Sequence, residues 1–142
     1  MNTEQIVRVS DVMKPGFDMV DGLATVADAL CDAKHPDTKC LVVKKRDEND
    51  EYGFVAYSDI AKQVLAKDRA PDRVNVYEIM SKPVLSVDPA MDIRYCARLF
   101  ENFGIARAPV IENGKVLGIV GYTDLVLSGI REKIRCDREG SE

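Results

Sequence analysis

Two aspartates, Asp59 and Asp124, close segments built to one pattern. They are Gly53-Phe54-Val55-Ala56-Tyr57-Ser58-Asp59-Ile60 and Gly118-Ile119-Val120-Gly121-Tyr122-Thr123-Asp124-Leu125. A carboxylate at such a place is a hydrogen-bond acceptor, and in the first turn of a helix the dipole favours it. Two cations, Lys39 and Arg107, stand just ahead of apolar runs, Cys40-Leu41-Val42-Val43 and Ala108-Pro109-Val110-Ile111. The remaining reactive side chains are dispersed. Cys31, Cys40, Cys96 and Cys136 form no CxxC pair, and the single histidine, His35, sits beside Pro36. That spacing offers no convergent zinc ligands, so the cysteines read as reduced, partly buried thiols. His35 reads as a surface residue. There is no nucleophile–base pair and no Walker-type glycine loop, so the chain does not read as an enzyme and requires no cofactor.

These groups must be positioned by elements that the apolar pattern reveals. The 142 residues are 46% hydrophobic and 31% charged, a composition that supports a packed core without metal or disulfide staples. A net charge of −4 argues against nucleic acid as a partner. Lys44-Lys45-Arg46 and the Arg69–Arg73 stretch read as solvated surface. No apolar run reaches the ~20 residues that span a bilayer, and Met1-Asn2-Thr3-Glu4-Gln5 lacks a signal-peptide pattern. A cytoplasmic protein without membrane contact is the expectation.

An internal repeat organises the chain. Val9–Met13 returns as Val76–Met80, Thr25–Leu30 as Asp92–Ala97, and Gly53–Ile60 as Gly118–Leu125. The chain therefore reads as a first repeat over 1–66, a linker over 67–75, a second repeat over 76–130 and a charged tail over 131–142. Thr25 and Asp92 are placed as N-caps. Behind them Val26, Ala29, Leu30, Ala33 and Ile93, Cys96, Ala97, Phe100 follow i, i+3, i+4, i+7, one apolar helix face. Cys40–Val43 and Ala108–Ile111 read as buried strands. Asn113-Gly114 signals a hairpin into Val116–Val120, while the corresponding turn in the first repeat, Lys44–Glu51, is longer and charged. Gly53–Tyr57 reads as the return strand, and Phe17–Val20 and Val84–Val87 as first strands. Ser58 and Thr123 read as caps of a last helix whose first-repeat core face is Ile60, Ala61, Val64 and Leu65. The order is β-α-β-β-α twice, an α/β (α+β) fold.

Taken together, the [DE]-[IV]-M segments at Asp11–Met13 and Glu78–Met80, the small-residue helices, the Ala108–Ile111 strand and the two Gly–Asp segments resemble the CBS-domain family over roughly residues 9–130. The resemblance implies two repeats packed with pseudo-two-fold symmetry, homodimerisation, and regulation of a separate protein. It also implies binding of an adenosine-containing ligand, such as AMP, ADP, ATP, NAD or S-adenosylmethionine, in clefts between the repeats. A dimerisation or docking module with closed clefts is the alternative.

In family members that bind nucleotides the aspartate holds the ribose diol, which a carboxylate accepts through two hydrogen bonds. The resemblance carries this role to Asp124 and Asp59, and a phosphate-binding role to Arg107 and Lys39. Each also has a plainer reading, as a first-turn acid or a solvated cation. The hydroxyl that those members use for phosphate is replaced by Ala56 and Gly121. The implied adenine slots are Phe17, Met19, Val20, Leu41 and Ile119 for one cleft, and Val84, Leu85, Ser86, Ala108, Pro109 and Phe54 for the other. Tyr57 and Tyr122 read as packing or interface residues, and Tyr122, Gly121 and Ala56 are also candidate ligand contacts.

Overall fold

The computed structural model describes residues 6–135; Cys136, the rest of the tail at 137–142 and the 1–5 start lie outside the described residues. The chain divides into two compact units that do not follow the contiguous 1–66, 67–75 and 76–130 division. One is Gly16–Val84. The other is composite, joining residues up to Pro15 with those from Leu85 onward. The short helix α1 (Val9–Val12) thus belongs with the second repeat.

In the Gly16–Val84 unit, β1 (Met19–Val20) runs parallel to β2 (Cys40–Val43), which pairs antiparallel with β3 (Gly53–Ala56). The helix α2 (Val26–Cys31) starts at Thr25, whose Oγ1 accepts the Asp28 N–H at 3.1 Å. Val26, Ala29, Leu41, Val55, Val64 and Val74 form its core with their neighbours. The first strand is shorter than the expected Phe17–Val20. Just ahead of it the Asp18 carbonyl still takes the Val42 N–H at 2.9 Å, and its buried carboxylate accepts the N–H groups of Lys34 at 2.8 Å and His35 at 3.0 Å. Tyr57 is not a strand residue but opens α3 (Tyr57–Ile60). That helix widens at Ala61–Leu65 into a π-helical stretch, with the Ala66 N–H donating to the Ala61 oxygen. The i→i+5 winding rotates the expected apolar face. Val64 stays buried while Ala61 is exposed and Leu65 is 70% exposed. Leu30 is also exposed, because α2 ends one residue later. The expected linker is packed chain: Val74 is buried, and its carbonyl accepts the Val26 N–H at 2.8 Å.

The composite unit contains α4 (Ile93–Phe103), the hairpin β4 (Arg107–Glu112) and β5 (Lys115–Gly121), and α5 (Tyr122–Asp124). Asp92 caps α4, accepting the Arg94 N–H at 2.9 Å. Left-handed Asn113 and Gly114 make the hairpin turn, as Asn-Gly predicts. From α5 the chain continues as a π-helical stretch, Leu125–Arg131, and then a helical turn at 132–135. Val84–Val87 forms no strand; only Val87 bridges to Val110, in parallel. Ile93, Cys96 and Phe100 are buried as the periodicity requires, against Val9, Val12, Val110 and Val120. Burial pushes the Cys96 thiol up to about 11, so it packs as a small apolar group.

Each hairpin is strapped by the segment that follows a [DE]-[IV]-M run. Lys14 exchanges backbone hydrogen bonds with Ile119 at 2.8 and 2.9 Å, and Ser81 does the same with Phe54 at 2.8 and 3.0 Å. A β-carbon at Gly118 would lie 2.4 Å from the Lys14 carbonyl oxygen, so glycine there permits the approach. The straps are exchanged between repeats. The run preceding the first repeat closes the hairpin of the second, and the run preceding the second closes that of the first. No helix among the described residues is long and apolar enough to cross a membrane.

Truncating the fully buried Phe100 to alanine should cost about 3–5 kcal/mol in urea denaturation. Leu65→Ala, at a position the periodicity placed inside, should stay within about 0.5 kcal/mol. Equal losses would show that the rotated face is wrong.

Candidate functional site

The two Gly–Asp segments become the same local structure, a strand that turns directly into a helix. Cys40 pairs with Ala56, and Arg107 with Gly121. The next N–H, from Tyr57 or Tyr122, donates to the carbonyl of Lys39 at 2.9 Å or Ala106 at 3.1 Å. This register makes Cys40, not Lys39, the counterpart of Arg107. Lys39 is left-handed and exposed, whereas Arg107 is a half-buried strand residue. The two cations therefore do not occupy equivalent places.

Ala56 and Gly121 stand at the N-cap positions, so Ser58 and Thr123 lie inside the first turn and do not cap. The capping bonds come from the aspartates. Asp59 Oδ2 accepts the Ala56 N–H at 3.0 Å, and Asp124 Oδ2 accepts the Gly121 N–H at 2.9 Å. An N3 acid reaching back to the N-cap amide is one half of a capping box. The resemblance stops there. Asp124 is buried, and its Oδ1 takes the Lys14 ammonium, which the strap delivers. Asp59 is half-buried, and the Ala56 amide is its hydrogen-bond donor. Ser81 stands where Lys14 would in the first repeat, so no ammonium reaches Asp59 from that strap.

The missing hydroxyls have a steric context. A β-carbon at Gly121 would lie 3.3 Å from the Ala106 oxygen and 3.5 Å from the Arg107 β-carbon, which is tight even before a hydroxyl is added. Ala56 is buried.

The apolar candidates separate by unit and by burial. Phe17, Met19, Val20, Leu41 and Phe54 belong to the Gly16–Val84 unit, as does Val84; Leu85, Ser86, Ala108, Pro109 and Ile119 belong to the composite unit. Leu41 and Ala108 are core members, and Phe54, Pro109 and Ile119 are buried. Phe17, Val20 and Leu85 are half-buried, with Met19 and Ser86 exposed. Tyr122 sets its ring edge-on to Phe100, with centroids 5.3 Å apart. Burial, reinforced by the nearby Asp18 charge, raises the Tyr57 phenol, which suits packing and not proton transfer. Sequence reasoning missed Lys14 and Asp18. Lys14 directly follows the repeated Asp11–Met13 run, which was the available signal. Asp18 carried none, since its partners are backbone amides distant in sequence. Among the described residues no cluster of His, Cys, Asp and Glu could hold a metal.

The family profile described as CBS domain matches residues 76–129. The chain is 34% identical to a hexameric CBS-CP12 protein from bloom-forming cyanobacteria, with a TM-score of 0.84, covering 96% of this chain and 81% of that one. It is 32% identical over 87 residues to an uncharacterized protein of Methanopyrus kandleri, matching 61% of this chain and 43% of the relative's length. It also shares the fold, at 21% identity and a TM-score of 0.71, with the CBS domain pair of protein MJ0100, solved with 5′-methylthioadenosine and S-adenosyl-L-methionine. That match covers 85% of this chain and 98% of the other. The chain thus spans less than half the length of the Methanopyrus protein.

The unequal partners of the two aspartates separate their mutants. Asp59→Ala removes one capping bond and should cost about 1 kcal/mol. Asp124→Ala also strands the Lys14 ammonium and should cost about 1–3 kcal/mol. Urea denaturation of both variants checks the order, and Lys14→Met should recover part of the Asp124→Ala loss.

Proposed function

We propose that this chain, which belongs to the CBS-domain family, is a regulatory module that binds an adenosine-containing ligand and signals its presence to a partner protein, without catalysing a reaction itself. The observation that carries this reading is the strand–turn–helix with a first-turn aspartate, built twice in register. Asp59 retains acceptor capacity beyond its one capping bond, enough for a ribose diol. Around Gly121 the arrangement is different. Lys14 is ion-paired with Asp124, so Arg107, paired to Gly121 across the strands, is the cation left at this turn. On this reading the Asp59 turn offers a diol acceptor in its own unit, and Arg107 offers the composite unit a donor for an anionic group. The adenosine compounds solved with the MJ0100 pair support the ligand class. ATP, ADP, AMP, NAD, S-adenosylmethionine and methylthioadenosine form the test panel.

The chain also self-associates on this proposal. Val126, Ile130 and Ile134 recur every four residues along the last helix and are about half exposed. Such an apolar stripe fits burial against a second copy. The hexameric state of the cyanobacterial relative supports assembly beyond the monomer. The regulated protein is a separate or attached domain controlled through a ligand-dependent shift in the assembly. Light scattering after gel filtration should give an oligomer for the wild type and a smaller mass for Ile130→Asp. A monomeric wild type would remove this part.

A second reading, a docking module that ignores nucleotides, is favoured by the tight space at Gly121 and the absent hydroxyls. A thermal-shift screen decides between them. A ligand at ~100 times its dissociation constant stabilises the native state by about 2.7 kcal/mol. The regulatory reading expects one adenosine compound to raise the melting temperature, and Arg107→Ala to reduce that rise. No rise with any compound, in protein stripped of carried-over nucleotide, supports the docking module.

A further inference from the structure

We propose that the first repeat carries a second, separate binding site, for a phosphorylated small molecule with a flat or apolar moiety. The site is a cavity of about 680 Å³ in the Gly16–Val84 unit, lying at the end of β2 away from Ala56. Cys40, at one end of β2, pairs with Ala56 at the Asp59 turn, whereas Val43, at the other, pairs with Gly53 and lines the cavity. The two ends are about 10 Å apart at the rise of an extended strand.

The repeats differ at this margin. Where the second repeat closes its hairpin with Asn113-Gly114, the first inserts the charged Lys44–Glu51 loop. The loop begins with Lys44, Lys45 and Arg46, all of which line the cavity, and Lys82 joins them. Two of these cations are held in place. Asp50 accepts Lys82 Nζ at 2.7 Å and Arg46 Nε at 3.1 Å, and it also caps the Arg46 N–H at 2.8 Å. The Lys82 ammonium, with Arg46, keeps the Asp50 carboxyl well below the usual carboxylate range. One carboxylate thus fixes two cations and leaves positive charge in excess. Lys45 lies over the Tyr52 ring, 4.8 Å from its centroid. The acid of the lining is Asp21, whose carboxylate accepts the Leu23 N–H at 2.8 Å. Four lining cations, set against Asp21 in the lining and Asp50 behind it, reverse the sign of a chain whose net charge is −4.

The opposite wall is apolar and uncovered. Leu23 is 76% and Tyr77 51% exposed, with Met80 and Val43 also in the lining. Lysine and arginine donors suit phosphoryl oxygens, and an exposed tyrosine ring offers a face for a flat group. The volume lies within the ~300–1,000 Å³ usual for small-molecule sites.

Titration of ¹⁵N-labelled protein with ADP, followed by amide chemical shifts, tests the assignment. ADP at ~1 mM, the weak end of useful affinity, should move the Gly22, Leu23 and Tyr77 amides. Those shifts should vanish in Lys44→Glu/Lys45→Glu and persist in Arg107→Ala. Pyrophosphate should act at the same amides about tenfold more weakly. No movement at these amides, or movement unchanged in the double variant, overturns the site. Equal affinity for pyrophosphate overturns the role given to Tyr77 and Leu23. Because Arg107 lies at the other turn, loss of binding there leaves this result standing, and the reverse.

Discussion

In both units the backbone after a [DE]-[IV]-M run comes close enough to the hairpin for a reciprocal pair of hydrogen bonds, and the architecture rests on that approach. At Gly118 the limiting atom is a carbonyl oxygen, Lys14 O, which cannot retreat without breaking the Lys14–Ile119 bonds. At Gly53 it is the Met80 sulfur, the flexible end of a side chain. The first constraint is therefore the stricter. It places α1 against the Leu125–Arg131 stretch, so Val9 and Val12 enter a core whose other buried members lie beyond residue 85. The same approach carries the Lys14 ammonium to Asp124.

From this follows the inequality of two turns that began as copies. Lys14 and Ser81 occupy the same place in their straps, and one residue decides whether a first-turn aspartate is buried in an ion pair or left with acceptor capacity. A buried carboxylate is tolerated where a cation and an amide satisfy it. Asp124 meets that condition and Asp59 does not need to, being only half-buried. The loop lengths add a further difference. A two-residue turn leaves the second hairpin closed, whereas Lys44–Glu51 gives the first a basic margin anchored on Asp50.

Much of the fold was legible because it rests on local physics. Thr25 and Asp92 cap as their types predict, Asn113-Gly114 turns, and Ile93, Cys96 and Phe100 bury on one face. The failures also have local causes. Leu65 leaves the core because the helix winds wider after Ile60, which no 3.6-residue pattern can show. Phe17–Val20 yields half its length, though the Asp18 carbonyl still takes the Val42 N–H while its carboxylate serves the turn at Lys34 and His35. The strap exchange was illegible for another reason, since repeats in sequence order suggest units in sequence order. At the site, the aspartates were found by recurrence and the inequality of Lys39 and Arg107 only by strand register. A one-residue offset between the repeats puts Cys40 opposite Ala56 and moves Lys39 out of the ladder.

The exchanged straps also make the chain a mechanical circuit. Tension applied at the N-terminal end reaches Lys14 before it reaches the first repeat. It meets the Val7–Ile93 and Val9–Met91 backbone hydrogen bonds first, then the α1 packing and the Lys14–Ile119 pair. The bonds that such a pull meets first belong to the unit encoded last. A protein fused or anchored ahead of residue 9 is thereby coupled to the hairpin that carries Arg107 and to the turn that carries Asp124, and not to the sequence it adjoins.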